Sequence, residues 1–154
     1  MTEAERILGA ARTVVVVDWP SRDVPDTLAL AGYTVLVKGG PGADSYSAYE
    51  VAGGEVVPRR TGAAPESADL VYAHRPVAEL PGVVMLAQRL GAGAVWQQSG
   101  LAGDGSKDPR GCWLPEADAR AARDIVESAG LAYLADPYIA DEVRRLAAGQ
   151  PGGR

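Results

Sequence analysis

The 154-residue chain contains a single cysteine, Cys112, and a single histidine, His74. One cysteine excludes a disulfide within the chain and any cysteine-based metal site, and one histidine excludes a histidine-pair site. Positive charge is also scarce: 15 lysines and arginines against 20 aspartates and glutamates leave a formal net charge of −5. That balance argues against a broad nucleic-acid or anionic-membrane surface, while leaving room for a local basic pocket that takes one anionic ligand. The apolar run in the opening "MTEAERILGAARTVVVV" is too short to span a bilayer, and acidic residues stand where a secretory leader would be basic. The cytoplasm is therefore the expected location. Finally, no glycine occurs between Val14 and Ala31, where a nucleotide-binding α/β domain ordinarily places a phosphate loop after its first strand.

What is present reads as one globular domain over residues 1–148 followed by a frayed tail, with 47% hydrophobic and 23% charged residues. Thr2 and Glu5 have the spacing of a capping box ahead of a short helix carrying Ile7, Leu8 and Ala11 on one face. Four consecutive valines, Val14 to Val17, read as a strand buried on both faces, Thr13–Val17. A helix follows, beginning close to Asp23 because Pro25 is tolerated only in the first turn, and stopping at Gly32. "YTVLVKGG" (Tyr33–Gly40) is a second strand. "AYEVAGGEVV" (Ala48–Val57) is a hairpin turning at Gly53-Gly54, or else one short strand after a loop. Asp69–Ala73 is a third core strand, and Pro81 fits the first position of a helix ending at Gly91. "AGAVWQQSG" gives a strand ending near Gln97. Leu101–Leu114 reads as an irregular loop, Pro115–Ser128 as a helix capped by Gly130, "LAYLAD" as the last strand and Ile139–Ala148 as a closing helix. Strand–helix–strand units of this length predict a Rossmann-like, three-layer α/β domain, with a mostly parallel sheet and helices on both faces.

In such sheets ligands bind outside the carboxyl ends of the strands, near the point where strand order reverses. The strand ends thus nominate the candidate residues. The first delivers Asp18, Trp19, Pro20, Ser21 and Arg22; the second Lys38, Gly39 and Gly40. The third core strand delivers Ala73, His74, Arg75 and Pro76, and the next Gln97, Gln98, Ser99 and Gly100. Lys38 stands where dinucleotide-binding domains keep an acid for the adenosine ribose, and a cation there attracts an extra phosphate, as on NADP or the 3′-phosphate of coenzyme A. Arg22 can grip a phosphate in a forked contact, and Ser21 can cap the helix or meet an anion. Asp18 opposes an anion unless Arg22 or Lys38 neutralises it; an Asp18–Arg22 ion pair is the plain alternative. Trp19 suits stacking on an adenine or covering the sheet edge. No local Ser-His-Asp pattern surrounds His74, and Cys112 lies beside Arg110, which lowers a thiol pKa slightly.

The strand ends together resemble the small bacterial CoA-binding domain family, which is similar to the CoA-binding domain at the start of the succinyl-CoA synthetase α subunit. The stretches that carry the resemblance are "PSRDVPDTLALAGYTVLV" (Pro20–Val37), "ADLVYAHRP" (Ala68–Pro76), "GAGAVWQQSG" (Gly91–Gly100) and "ARDIVESAGLAYLADPYI" (Ala122–Ile139), with "DEVRRL" in the closing helix. The resemblance implies that Pro20 and Ser21 face the pyrophosphate. It implies that Lys38 takes the basic place after the second strand, that Ala73 to Pro76 flank the adenine end, and that Trp96, Gln97 or Gln98, and Gly100 form a further tip. The chain departs from the family pattern at Asp18, where a glycine is usual. It departs again in the short loop before the first helix, in "KGGPGADSY" after the second strand, and in the long Leu101–Leu114 loop. The short loop removes backbone donors from a phosphate cradle, and Gly39, Gly40 and Gly42 offer a replacement cradle at the second strand's exit.

The function expected first is a non-catalytic module binding CoA or an acyl-CoA, with no nucleic acid or membrane partner. An NADP-binding sensor follows from Lys38. A degenerate Rossmann scaffold binding a protein partner follows from Asp18 and the short loop. An enzyme using His74 or Cys112 lacks a catalytic constellation. Pairing through helices would make the protein a homodimer.

Overall fold

A run of valines is satisfied only where neighbours cover both faces of the strand, and β1 (Thr13–Val17) is such a strand, with Val14, Val15 and Val16 fully buried. The computed structural model describes residues 1–18, 22–39, 45–98 and 116–149. Within them β1 pairs in parallel with β2 (Thr34–Lys38) on one side and with β5 (Leu70–Ala73) on the other. β6 (Ala94–Gln97) and β7 (Ala132–Leu134) extend the parallel part beyond β5. β3 (Tyr46–Ala52) and β4 (Glu55–Gly62) add an antiparallel hairpin outside β2. The sheet order is β4-β3-β2-β1-β5-β6-β7.

Strand order reverses at β1, and this sets the layers. The chain moves one way through α2 (Asp23–Leu30) to β2, and the other way through α3 (Leu80–Leu90) to β6. Right-handed crossovers travelling in opposite directions leave their helices on opposite faces. One face accordingly carries α1 (Glu3–Ala10), α2 and α5 (Ile139–Ala148), packed through Leu8, Leu28 and Ile139 onto Val14, Val16 and Trp96. The other carries α3 and α4 (Glu116–Ser128), packed through Leu80, Leu90 and Val126 onto Val15, Val71 and Val95. The three-layer α/β reading holds.

The helix starts follow the local chemistry. Thr2 Oγ1 accepts the Glu5 amide at 3.1 Å, as a capping box requires. α2 starts at Asp23 and keeps Pro25 in its first turn. α3 starts one residue before Pro81, after a 3-10 turn at Val77–Glu79. The hairpin is longer than expected at both ends, which removes the single-strand alternative. Gly53 and Gly54 both have positive φ, the geometry of a two-residue turn that matches strand twist. Its second strand extends past Val57 through "PRRTG", which carries no apolar alternation because β4 is the sheet's exposed edge. β2 in turn is shorter than expected, ending at Lys38. Among the described residues no helix is long and apolar enough to cross a membrane.

The amino ends of the central strands share one fastening. Asp69 Oδ2 accepts the backbone N–H of Arg12 at 2.9 Å and of Thr13 at 3.0 Å, while the Asp69 amide donates to Thr13 O at 2.9 Å. The Thr13 and Arg12 amides hold this carboxyl below the usual aspartate range. Replacement of Asp69 by alanine is expected to cost about 1 kcal/mol in urea unfolding at pH 7, since the site is exposed and water partly replaces the lost acceptor. The folded-state pKa is depressed, so this stabilisation is present above the unfolded-state value and fades as pH falls through the folded one. Wild type and Asp69→Ala should therefore converge in stability under strongly acidic conditions, and a constant gap down to the acid unfolding range would contradict the assignment.

Candidate functional site at the carboxyl ends of the strands

Because β1 sits at the reversal of strand order, the segments leaving β1, β2 and β5 meet at one rim. Val17 lies opposite Lys38 on one side and Ala73 on the other. The His74 amide continues the ladder by donating to Val17 O at 3.0 Å, and the Gln98 amide donates to Ala73 O at 2.9 Å. Asp18 leaves β1 with φ of 60°, in the left-handed region that glycine enters most easily. The backbone at this position thus keeps the shape of the glycine usual in the resembling family, with a carboxylate added.

Lys38 and Arg75 leave their strands at this rim, and Arg22 begins α2 there, but the Arg22 guanidinium turns away along α2 toward Asp26, Tyr49 and Val56. The alternative Asp18–Arg22 pair does not form. Arg75 Nη1 reaches Asp18 Oδ2 at 2.6 Å, and the same guanidinium bonds Glu79 through Nε at 3.0 Å and through Nη2. Neighbouring parallel strands explain this choice: the residues just beyond Val17 and Ala73 emerge side by side. Pro76 starts the 3-10 turn that brings Glu79 back onto Arg75. Arg22 Nη2 bonds Asp26 Oδ1 at 3.0 Å and Val56 O at 2.8 Å, with its guanidinium 5.2 Å from the Tyr49 ring centroid. Both arginines meet a carboxylate at i+4, in "RDVPD" and "RPVAE", a spacing visible in the sequence.

Gln97 and Gln98 are fully buried, and their amides serve the protein's own backbone. Gln97 donates to Arg75 O at 2.7 Å and accepts from Tyr133 Oη at 2.9 Å. Burial pushes the Tyr133 hydroxyl up to about 12, so it stays protonated and able to donate. Gln98 Nε2 donates to Pro137 O at 3.2 Å, a carbonyl that also accepts Trp96 Nε1 at 3.1 Å. These side chains fix the Arg75 loop and the segment after β7. Ala73 and His74 are buried, Pro76 and Gly39 exposed, and Lys38 half-buried. The Gly39 amide donates to Ser45 O at 3.1 Å, and a Cβ there would make only an ordinary 3.7 Å contact with that oxygen. Gly39 is therefore not required by crowding. Trp19, Pro20, Ser21, Gly40, Gly42, Ser99, Gly100 and Cys112 lie outside the described residues.

One network escaped sequence reasoning. Asp23, first residue of α2, accepts from Tyr138 Oη at 2.8 Å and from Arg144 Nη1 at 2.8 Å. Arg144 chiefly, with help from Tyr138, holds the Asp23 carboxyl below its usual range against the opposing effect of burial. No local pattern could have found partners 115 and 121 residues away. Its effect on the site is electrostatic: an acid at the start of α2 is neutralised from α5, so the helix end facing the rim keeps its positive character.

The described rim offers an anion a lysine at the end of β2, the amino end of α2 and Arg75 held by two ion pairs. A cleft of about 480 Å³ between α1, α5 and the end of β7 has the wrong sign for such a ligand. Among the described residues it is lined by Glu3, Glu5, Asp136 and Glu142, with Arg145 as the one cation. Among the described residues no group of three or more His, Cys, Asp or Glu side chains is arranged to hold a metal ion.

No curated protein and no solved structure matches the chain. The family model described as CoA binding domain matches residues 7–140, spanning β1 through the start of α5 and every strand of the sheet. The chain belongs to the CoA-binding domain family.

Proposed function

We propose that this protein is a non-catalytic module that holds CoA or an acyl-CoA across the carboxyl ends of β2, β1 and β5. Family membership over residues 7–140 is the observation that carries the reading. The geometry supports it: Lys38 closes β2 beside the reversal point, where an α/β domain of this type receives the adenosine ribose, and a cation there favours a ribose bearing a phosphate. The amide end of α2 favours the diphosphate. The surrounding groups are ion pairs and backbone-bound amides, which position a ligand and fix its surroundings.

A second reading has one specific observation behind it. Arg22 and Arg75 are already neutralised by Asp26, Asp18 and Glu79. A rim balanced in this way also suits a Rossmann scaffold that docks a protein and has lost its nucleotide.

Thermal unfolding with CoA, acetyl-CoA, NADP, NAD and adenosine nucleotides separates the readings, because a ligand that binds only the folded state raises the melting temperature. The expected outcome is stabilisation by CoA and acetyl-CoA above that by NADP. A flat response to the whole panel at millimolar concentration would leave the scaffold reading. NADP outranking CoA would make the protein a dinucleotide sensor.

The Asp18→Gly variant supplies a further prediction. Glycine accepts the left-handed backbone at this position, and the substitution removes a carboxylate from the rim while leaving Arg75 to Glu79 alone. CoA affinity measured by calorimetry at low salt is expected to rise about threefold, from one unit of charge repulsion across a hydrated gap. The gain should shrink with added salt. Unchanged or weaker binding would show that Asp18 contributes to the site through something other than its charge.

A further inference from the structure

We infer that Arg60, on the edge strand β4, reads the phosphate on the ligand's adenosine ribose and sets the preference for CoA over dephospho-CoA. The inference rests on the CoA reading above and assigns a residue that strand-end reasoning passed over. Among the described residues, Arg12, Arg60 and Arg89 are the arginines with no carboxylate in ion-pair distance, every other one being matched to an Asp or Glu. Arg12 precedes β1 and Arg89 lies in the last turn of α3, both at the amino ends of the strands. Arg60 stands at the opposite end. Lys38 faces Tyr46 and Tyr46 faces Gly62; Val37 faces Ser47 and Ser47 faces Arg60.

Arg60 lies on the face of the sheet that carries α2. Val56 packs against the core under α2, and the two-residue period of a strand returns Arg60 to that side, while Lys38, in line with Leu36 and paired with Tyr46, lies on the other. Two strand spacings, about 10 Å, separate it from β2, whose end receives the adenosine ribose in folds of this type. A phosphate ester on that ribose, held beyond the strand ends, is open to Lys38 from one face and to Arg60 from the other. A guanidinium suits this grip, since its planar fork meets phosphate oxygens in pairs.

Charge points the same way. Arg22 pairs with Asp26 and Arg75 with Asp18 and Glu79, so with Lys38 the cations and acids of these segments are equal in number. A dianionic phosphate needs an excess of positive charge, and among the described residues Arg60 is the one that creates it. Arg59, its immediate neighbour, is occupied: it bonds Glu50 at 2.9 and 3.1 Å.

The test is calorimetric titration of the full chain with CoA and with dephospho-CoA. Wild type should prefer CoA. Arg60→Gln should weaken CoA about tenfold, the loss of one charge-assisted phosphate contact, and leave dephospho-CoA unaffected. Arg59→Gln should change neither. An Arg60→Gln protein that keeps the wild-type ratio between the two ligands, whether both bind normally or both weaken together, overturns the assignment while the CoA reading stands. A wild-type protein that binds neither ligand overturns both.

Discussion

The rim exists because β1 is enclosed on every side. Its valines are buried above and below, and its backbone is paired with β2 and β5 in parallel. Each fully buried valine contributes about 1.5–3 kcal/mol from apolar transfer, and the contributions go to opposite layers: Val14 and Val16 to the layer of α1, α2 and α5, Val15 to that of α3 and α4. The segment leaving β1 turns to α2 on one face of the sheet, and the segment leaving its neighbour β5 turns to α3 on the other. The gap where they part is the candidate site.

Around that gap the electrostatics are those of a held balance. Each arginine that leaves a central strand turns to an acid one helical turn onward, and Arg75 takes Asp18 as well. Exposed pairs of this kind contribute little to stability, so their main effect is on the field a ligand meets. Asp23 is removed from that field by Arg144 across the α2–α5 contact. The net result is a rim in which position and register determine which cations act on a ligand.

Much of the fold was legible in the sequence because its signals are local. Four valines, a proline confined to a first turn, paired glycines at a hairpin and a glycine after α3 each dictate a nearby outcome, and α5 follows its expected limits of Ile139 and Ala148. The extent of β4 was not legible, since an edge strand with exposed charges carries no periodicity. Strand ends put Lys38 and Arg75 at one rim with the backbone of Arg22, whose guanidinium turns away along α2. The pairing among them depended on the lateral order of strands, which brings Arg75 beside Asp18 from 57 residues away. Buried Gln97 and Gln98 look the same in a sequence as polar residues facing a ligand. Only the positions of Arg75 O and Pro137 O distinguish the two uses.

The outermost strand carries a safeguard of its own. An open sheet border invites another chain to continue the ladder. On β4, Pro58 has no amide hydrogen to offer, and the Val56 carbonyl is already taken by Arg22. A stranger aligning there would find a donor missing and an acceptor occupied within three residues. Crowded solutions should consequently leave this flank unzipped, and the guanidinium that guards it hangs from the residue that opens α2.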